Sequence, residues 1–117
     1  MDEKYRVAVA SSDGKVVNQH FGKSEVFYIY QIDNDNKPHL LEKREVTAVC
    51  HGGSHDTDMM LQNIQALKDC KYLLVSRIGD AAANMVTAQG ITPMELPGFI
   101  DESIEKLTIY EQIENLF

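Results

Sequence analysis

The chain has 117 residues, 44% apolar and 25% charged, which suits one domain with a core that needs neither disulfides nor a structural metal. Eleven Lys and Arg against eighteen Asp and Glu leave a net charge of −7. That field repels phosphate backbones and anionic lipid, so general binding to nucleic acid or a membrane surface is disfavoured. The longest apolar run, Val26–Tyr30, falls far short of the roughly 20 residues of a membrane helix, and Met1–Lys4 carries no apolar signal core. Cys50 and Cys70 make no disulfide framework. A soluble cytoplasmic protein with free thiols is expected, as a single domain over residues 1–117.

Lys4–Ser11 is β-branched and apolar on both faces, which predicts a central strand covered from two sides. Ser12-Asp13-Gly14-Lys15 is a turn, and Asn18–Gly22 fits neither a helical nor a strand period. Ser24–Ile32 is rich in Val, Phe, Tyr and Ile and predicts a second strand. The polar turn Asp33–Pro38 then leads to a third over His39–Val49, closing an antiparallel meander. Cys50–His55 is a glycine-bearing loop.

Beyond it the period becomes helical. Met60, Ile64 and Leu67 share one face of a helix from about Asp56 to Lys68, with Asp56 and Asp58 at its start, where the helix dipole favours acids. Tyr72–Arg77 is a short apolar strand, Gly79–Gln89 an Ala-rich helix closed by Gly90, and Ile91–Leu96 a fifth strand stopped by Pro97-Gly98. Ile100, Ile104, Leu107, Tyr110 and Ile113 mark a last amphipathic helix. The order βββαβαβα predicts an α/β fold: one mixed five-stranded sheet with helices packed on it.

Four histidines and two cysteines are the reactive inventory. His20 follows the first strand directly, and Cys50, His51 and His55 share the loop before the first helix. Both places are strand ends where chain direction changes, the usual position of a ligand in such sheets. Thiolate and imidazole suit zinc, copper or the iron of iron–sulfur clusters. Taken singly, a loop histidine is as readily a solvated polar residue, and Cys50 an inert thiol. Cys70, between a helix end and an apolar strand, reads as core, and His39 as surface. Cys50-x4-His55 with a distant His20 is not a closed four-ligand motif and suits an open site better. In Ser76-Arg77-Ile78-Gly79-Asp80 a strand passes through Gly into a helix, where free amides and Arg77 can meet an anion, or where Gly79 serves only a tight turn. Met59, Met60, Met85 and Met94 read as core filler. No nucleotide fingerprint and no hydrolase serine motif is present.

Arg6–Gly14, followed by Val17-Asn18-Gln19-His20-Phe21-Gly22, resembles the opening of the dinitrogenase iron–molybdenum cofactor biosynthesis family, which includes NifX-like proteins and the C-terminal domain of NifB. The resemblance continues through Phe27–Tyr30, the loop of Cys50, Gly53, His55 and Asp56, the run Leu74–Gly79, and Gly90-Ile91. It implies a ribonuclease-H-like fold and a carrier or accessory protein without catalysis of its own. The cargo it implies is an iron–sulfur cluster, or iron–molybdenum cofactor precursor, bound transiently and passed between cluster donor and acceptor proteins of cofactor assembly. His20 in the H-F-G segment is the residue it points to; Cys50 and His55 follow as metal ligands by position and chemistry. Phe21, Gly22, Gly53, Arg77 and Gly79 complete the expected binding set, the glycines allowing close backbone approach and Arg77 offsetting negative charge. Two rivals use the same fold. One is a metal-sensing or protein-interaction module. The other is a divalent-metal phosphoryl-transfer enzyme drawing on Asp13, Glu25, Asp56 and Asp58, although Asp13 and the Asp56/Asp58 pair fit a turn and a helix start more simply.

Overall fold

The computed structural model describes residues 3–46 and 57–116. Strands β1 (Glu3–Ala10), β3 (Val26–Asp33), β4 (Pro38–Glu45), β5 (Tyr72–Val75) and β6 (Thr92–Glu95) form one sheet in the order β4-β3-β1-β5-β6. The β3 and β4 neighbours run antiparallel, whereas β5 lies parallel to both β1 and β6. Two short strands, β2 (Val16–Val17) and β7 (Gly98–Phe99), pair separately. Helices α1 (Thr57–Gln65), α2 (Asp80–Ala88) and α3 (Ile100–Glu114) cover the sheet.

The central strands are apolar at consecutive positions because both their faces are covered. Val7, Ala8, Val9 and Ala10 of β1 are buried, as are Leu73, Leu74 and Val75 of β5. Alternate side chains feed two cores. On one face Ala8, Ala10, Phe27, Ile29, Leu73 and Val75 meet Ile64 of α1, Leu67 just beyond its end, and Ala82 and Val86 of α2. On the other, Val7, Val9, Ile32 and Leu74 meet Ile100, Ile104 and Leu107 of α3. Met60 and Met85 pack against the first core and Met94 against the second, as filler. This is the mixed five-stranded α/β architecture predicted from the element order.

Four local departures have physical causes. The second strand starts at Val26 rather than Ser24, because a 3₁₀ turn over Phe21–Lys23 occupies the chain until Ser24, whose N–H donates to the Phe21 carbonyl at 3.3 Å. The third ends at Glu45; positions 47–49 of its expected span lie outside the described residues. It is one edge of the sheet, and its register against β3 shifts between Ile29 and Tyr30, whose partners are Glu42 and Leu40. Leu41 is thus the extra residue of a bulge, which with the charged run Glu42–Glu45 discourages further pairing at this edge.

Pro97-Gly98 does not simply stop the chain. Gly98, at φ 123, swings it into β7, where Gly98 and Phe99 pair with Val17 and Val16. In α3, Ile100, Ile104 and Leu107 point inward as expected; Tyr110 lies at the margin, 39% exposed with its ring 6.5 Å from that of buried Tyr72, and Ile113 faces out at 52% exposure. The next inward position of a 3.6-residue helix is 111. Glu111 fills it, its carboxylate buried beside Lys71 Nζ at 3.1 Å and Lys4 Nζ at 3.9 Å.

Candidate functional site

The 11–24 segment leaves β1 and returns over its own end. Asp13 organises the first turn: its Oδ1 accepts the Lys15 and Val16 N–H groups at 2.8 and 3.1 Å, and these amides hold its carboxyl below the usual carboxylate range. Gly14 sits at φ 76, a left-handed conformation that disfavours any side chain. The chain then runs alongside the extension of β5. Ser76 N–H donates to Gln19 O at 3.0 Å, Phe21 N–H donates to Arg77 O at 2.9 Å, and His20 and Arg77 form a parallel bridge.

Phe21 explains why this irregular stretch is fixed. Its ring is buried in the first core and lies 6.0 Å from that of Phe27. Immediately before it, His20 is exposed. Gly22 and Lys23 complete the 3₁₀ turn.

Across from this turn, Arg77-Ile78-Gly79 carries the chain from β5 into α2. Gly79 is the N-cap, and no side chain caps the helix, so the first-turn amides have no acceptor within the helix itself. The Ile78 N–H donates to Glu95 Oε2 at 2.9 Å, tying this connection to the end of β6. His20, Phe21, Gly22, Lys23, Arg77, Ile78 and Gly79 together line an open cleft of about 290 Å³. A second recess of about 280 Å³, lined by Ser11, Ser12, Gln19, Glu25 and Val26, adjoins it and shares Lys23. A chain of net charge −7 thus gathers Lys23, Arg77 and a helix N-terminus at one strand-end cleft, an arrangement favourable to an anion.

Five of the residues singled out from the sequence, His20, Phe21, Gly22, Arg77 and Gly79, therefore meet in one place. Gly53, Cys50 and His55 lie outside the described residues, as do His51 and Asp56. Among the described residues, no three His, Cys, Asp or Glu side chains come together as metal ligands. Cys70 is 3% exposed within the first core, and burial, then the nearby Asp69 carboxylate, push its thiol up to about 12. His39 is on the surface strand, its Nε2 2.8 Å from Asp33 Oδ2. Asp13 is committed to its turn and Glu25 stands in the adjoining recess, so the described part of the carboxylate set does not converge on a metal.

Lys23 and Glu95 are the site features that sequence reasoning missed. Lys23 follows H-F-G directly and was legible as a cation next to His20. Glu95 was not, because its place depends on the parallel register of Val75 with Glu95.

Fold and cleft together define a small α/β domain of three layers with a cationic pocket at the carboxyl ends of parallel strands. A family model described as dinitrogenase iron–molybdenum cofactor matches residues 3–109, and the chain belongs to that family. It is 34% identical over 104 residues to the FeMo cofactor biosynthesis protein NifB of Frankia alni, an alignment covering 86% of this chain and 20% of that protein. To protein NifX of Azotobacter vinelandii it is 32% identical over 106 residues, covering 89% of this chain and 65% of that one. The chain thus spans about a fifth of that NifB and just under two-thirds of that NifX. Among solved structures, PH0822 superposes with a TM-score of 0.67 at 24% identity over 87% of each chain. The Thermotoga protein TM1290 does so at 0.55 and 24% identity, over 89% of this chain and 87% of that one. These structural likenesses carry the fold alone.

Proposed function

We propose that this domain is a carrier or accessory protein of nitrogenase cofactor assembly, without catalysis of its own. It receives an anionic iron–sulfur cluster or iron–molybdenum cofactor precursor from a donor protein and yields it to an acceptor. The observation that carries the reading is the cleft itself. His20 and the Arg77–Gly79 turn, far apart in sequence, are held together by backbone pairing around a pocket that also contains Lys23.

The chemistry of each group fits that cargo. An exposed imidazole at His20 can ligate iron, while Arg77, Lys23 and the α2 amides offset the cluster's negative charge. Gly22 and Gly79 keep side chains out of the approach. Few protein ligands and an open cleft favour release, which a carrier requires. Cys50, Gly53 and His55 enter the proposal through their sequence position and ligand chemistry alone. The sheet order, with the antiparallel ribbon on one side of β1 and the parallel strands on the other, supports a ribonuclease-H-like classification.

An anaerobic titration with an isolated iron–sulfur cofactor precursor, followed by visible absorption and amide-shift NMR, tests the reading. Saturable binding with shifts at His20, Lys23 and Gly79 is expected. His20→Ala is expected to weaken it by about tenfold or more, roughly 1.4 kcal/mol, with an unchanged circular-dichroism spectrum. Unaltered affinity in His20→Ala would remove that imidazole from the site. A response to zinc or to a protein, but none to the precursor, would transfer the function to metal sensing or partner recognition.

A further inference from the structure

The connection from β5 to α2 is gripped from both sides. On one, Ser76 N–H donates to Gln19 O at 3.0 Å and Phe21 N–H donates to Arg77 O at 2.9 Å. On the other, the parallel register of β5 with β6 sets Glu95 beside Val75, and Leu96 N–H continues it by donating to Val75 O at 3.0 Å. From that position the Glu95 side chain reaches beyond the end of β5, where its Oε2 accepts the Ile78 N–H at 2.9 Å. Ile78 is part of the cleft wall, between Arg77 and Gly79. Among the described residues, Asp80 opens α2 and Glu25 stands in the adjoining recess, but Glu95 is the acid hydrogen-bonded to the main chain of that wall.

The backbone does not require an acid there. Position 95 is exposed, so water could meet the Ile78 N–H, as could the neutral carbonyl of a Gln side chain of the same length. A full negative charge has a further consequence. It lies one hydrogen bond from the wall of a pocket that otherwise gathers Lys23, Arg77 and the N-terminus of α2, and it opposes an anion bound among them. We infer, on the carrier reading above, that Glu95 is a positioning residue that also sets how weakly the cleft holds its anionic cargo. Its hydrogen bond keeps the Arg77–Gly79 turn in place against His20. Its charge keeps affinity below what the cations alone would give, so that cargo leaves. Gln at this position retains the first effect and removes the second, whereas Ala removes both.

The test titrates the ¹⁵N-labelled protein anaerobically with a dianionic synthetic [4Fe–4S] cluster ligated by 2-mercaptoethanol. Glu95→Gln is expected to bind it about three- to tenfold more tightly than wild type at low salt, with the gap closing as salt is raised. Glu105, exposed on α3 at the other face of the sheet, supplies the control: Glu105→Gln makes the same change in net charge and is expected to bind as wild type does. Without the cluster, hydrogen exchange at the Ile78 amide is expected to match wild type in Glu95→Gln and to quicken by about tenfold in Glu95→Ala. Glu95→Ala is also expected to bind more weakly than Glu95→Gln. Equal affinity in wild type and Glu95→Gln, a gain shared by Glu105→Gln, or an Ile78 amide indifferent to Glu95→Ala would overturn the inference and leave the carrier reading standing. No saturable binding by wild type or by Glu95→Gln would overturn the carrier reading, and with it the effect of Glu95 on affinity.

Discussion

Glu111 gives a quantitative test of how α3 is held. Its side chain is 4% exposed, accepts from Lys71 Nζ at 3.1 Å and from Asn115 Nδ2 at 3.0 Å, and lies near Tyr5, whose buried hydroxyl has no hydrogen-bond partner among the described residues. Glu111→Ala removes charge-assisted hydrogen bonds worth about 1.5–3 kcal/mol and one buried methylene worth roughly 0.8 kcal/mol. Against this, the carboxylate no longer has to be desolvated, and Lys71, whose side chain is 51% exposed, returns readily to water. The net expectation is a loss of about 2 kcal/mol, a fall in Tm of roughly 8 °C for a domain this size. Glu111→Leu restores the lost volume without a charge to desolvate, so it is expected within about 1 kcal/mol of wild type. Urea denaturation of the three proteins at constant m-value separates these contributions. A Leu variant as unstable as the Ala variant would refute the argument, because the ion pair and not burial would then fix the helix. An Ala variant within about 0.5 kcal/mol of wild type would show that position 111 does not pin α3 at all.

Gly14→Ala is expected to cost about 1–2 kcal/mol in the same assay, since φ is 76 and a Cβ would meet the Tyr28 ring at 3.0 Å; an unchanged midpoint would mean that the turn relaxes freely. Cys70→Ala is expected to lower stability by roughly 1 kcal/mol while leaving precursor affinity unchanged, and the Cys70 thiol to react with a disulfide reagent only on unfolding; loss of affinity instead would overturn its core assignment. Asp69, bridged first by Arg44 at 2.7 and 2.8 Å and then by Arg6 at 2.9 Å, titrates well below its ordinary 3.8. A lowered carboxyl contributes stability that is present above the unfolded value and is lost as pH falls through the folded one. Stability is therefore expected to be flat in this respect from neutrality to about pH 5 and to decline below about pH 4, less steeply in Asp69→Asn. An equally steep decline in that variant would assign the acid sensitivity to the other lowered carboxyls, Asp33 and Asp13, held down chiefly by backbone N–H groups, and Glu42, held down by Arg44.

The parts of the fold that were legible in the sequence are those whose residues report their own surroundings. Val7–Ala10 and Leu73–Val75 are apolar without alternation because each central strand is covered twice, and Met60 with Ile64 repeats at helical spacing because α1 has one inner face. What the sequence concealed depends on partners distant along the chain. Nothing near Val16 or Phe99 shows that these two residues pair, and nothing near position 111 shows that Lys4 and Lys71 wait to neutralise a buried acid. Counting apolar residues alone therefore turned Ile113 inward, where Glu111 in fact lies. The cleft divides in the same way: His20 and the Arg77–Gly79 turn stood out as residues that no regular element required, whereas their adjacency came only from the pairing of β1 with β5 and of Gln19 and Phe21 with the strand extension.

That pairing also reconciles the two things asked of the proposed site. A ligand must be positioned by its protein, yet a carried cluster must leave. Here the backbone supplies the positioning: Phe21 is sunk in the core, and its amide and that of Ser76 are hydrogen-bonded across the two segments. The Ile78 amide is held by Glu95. The side chains that would touch cargo, His20, Lys23 and Arg77, are all exposed on that fixed frame. Rigid main chain under solvent-facing side chains lowers the ordering cost of capture without enclosing what is captured. The Glu95 carboxylate would act as a counterweight, since it fixes the Arg77–Gly79 turn while placing a negative charge near the proposed anion, so the element that shapes the cleft would also moderate how tightly cargo is held.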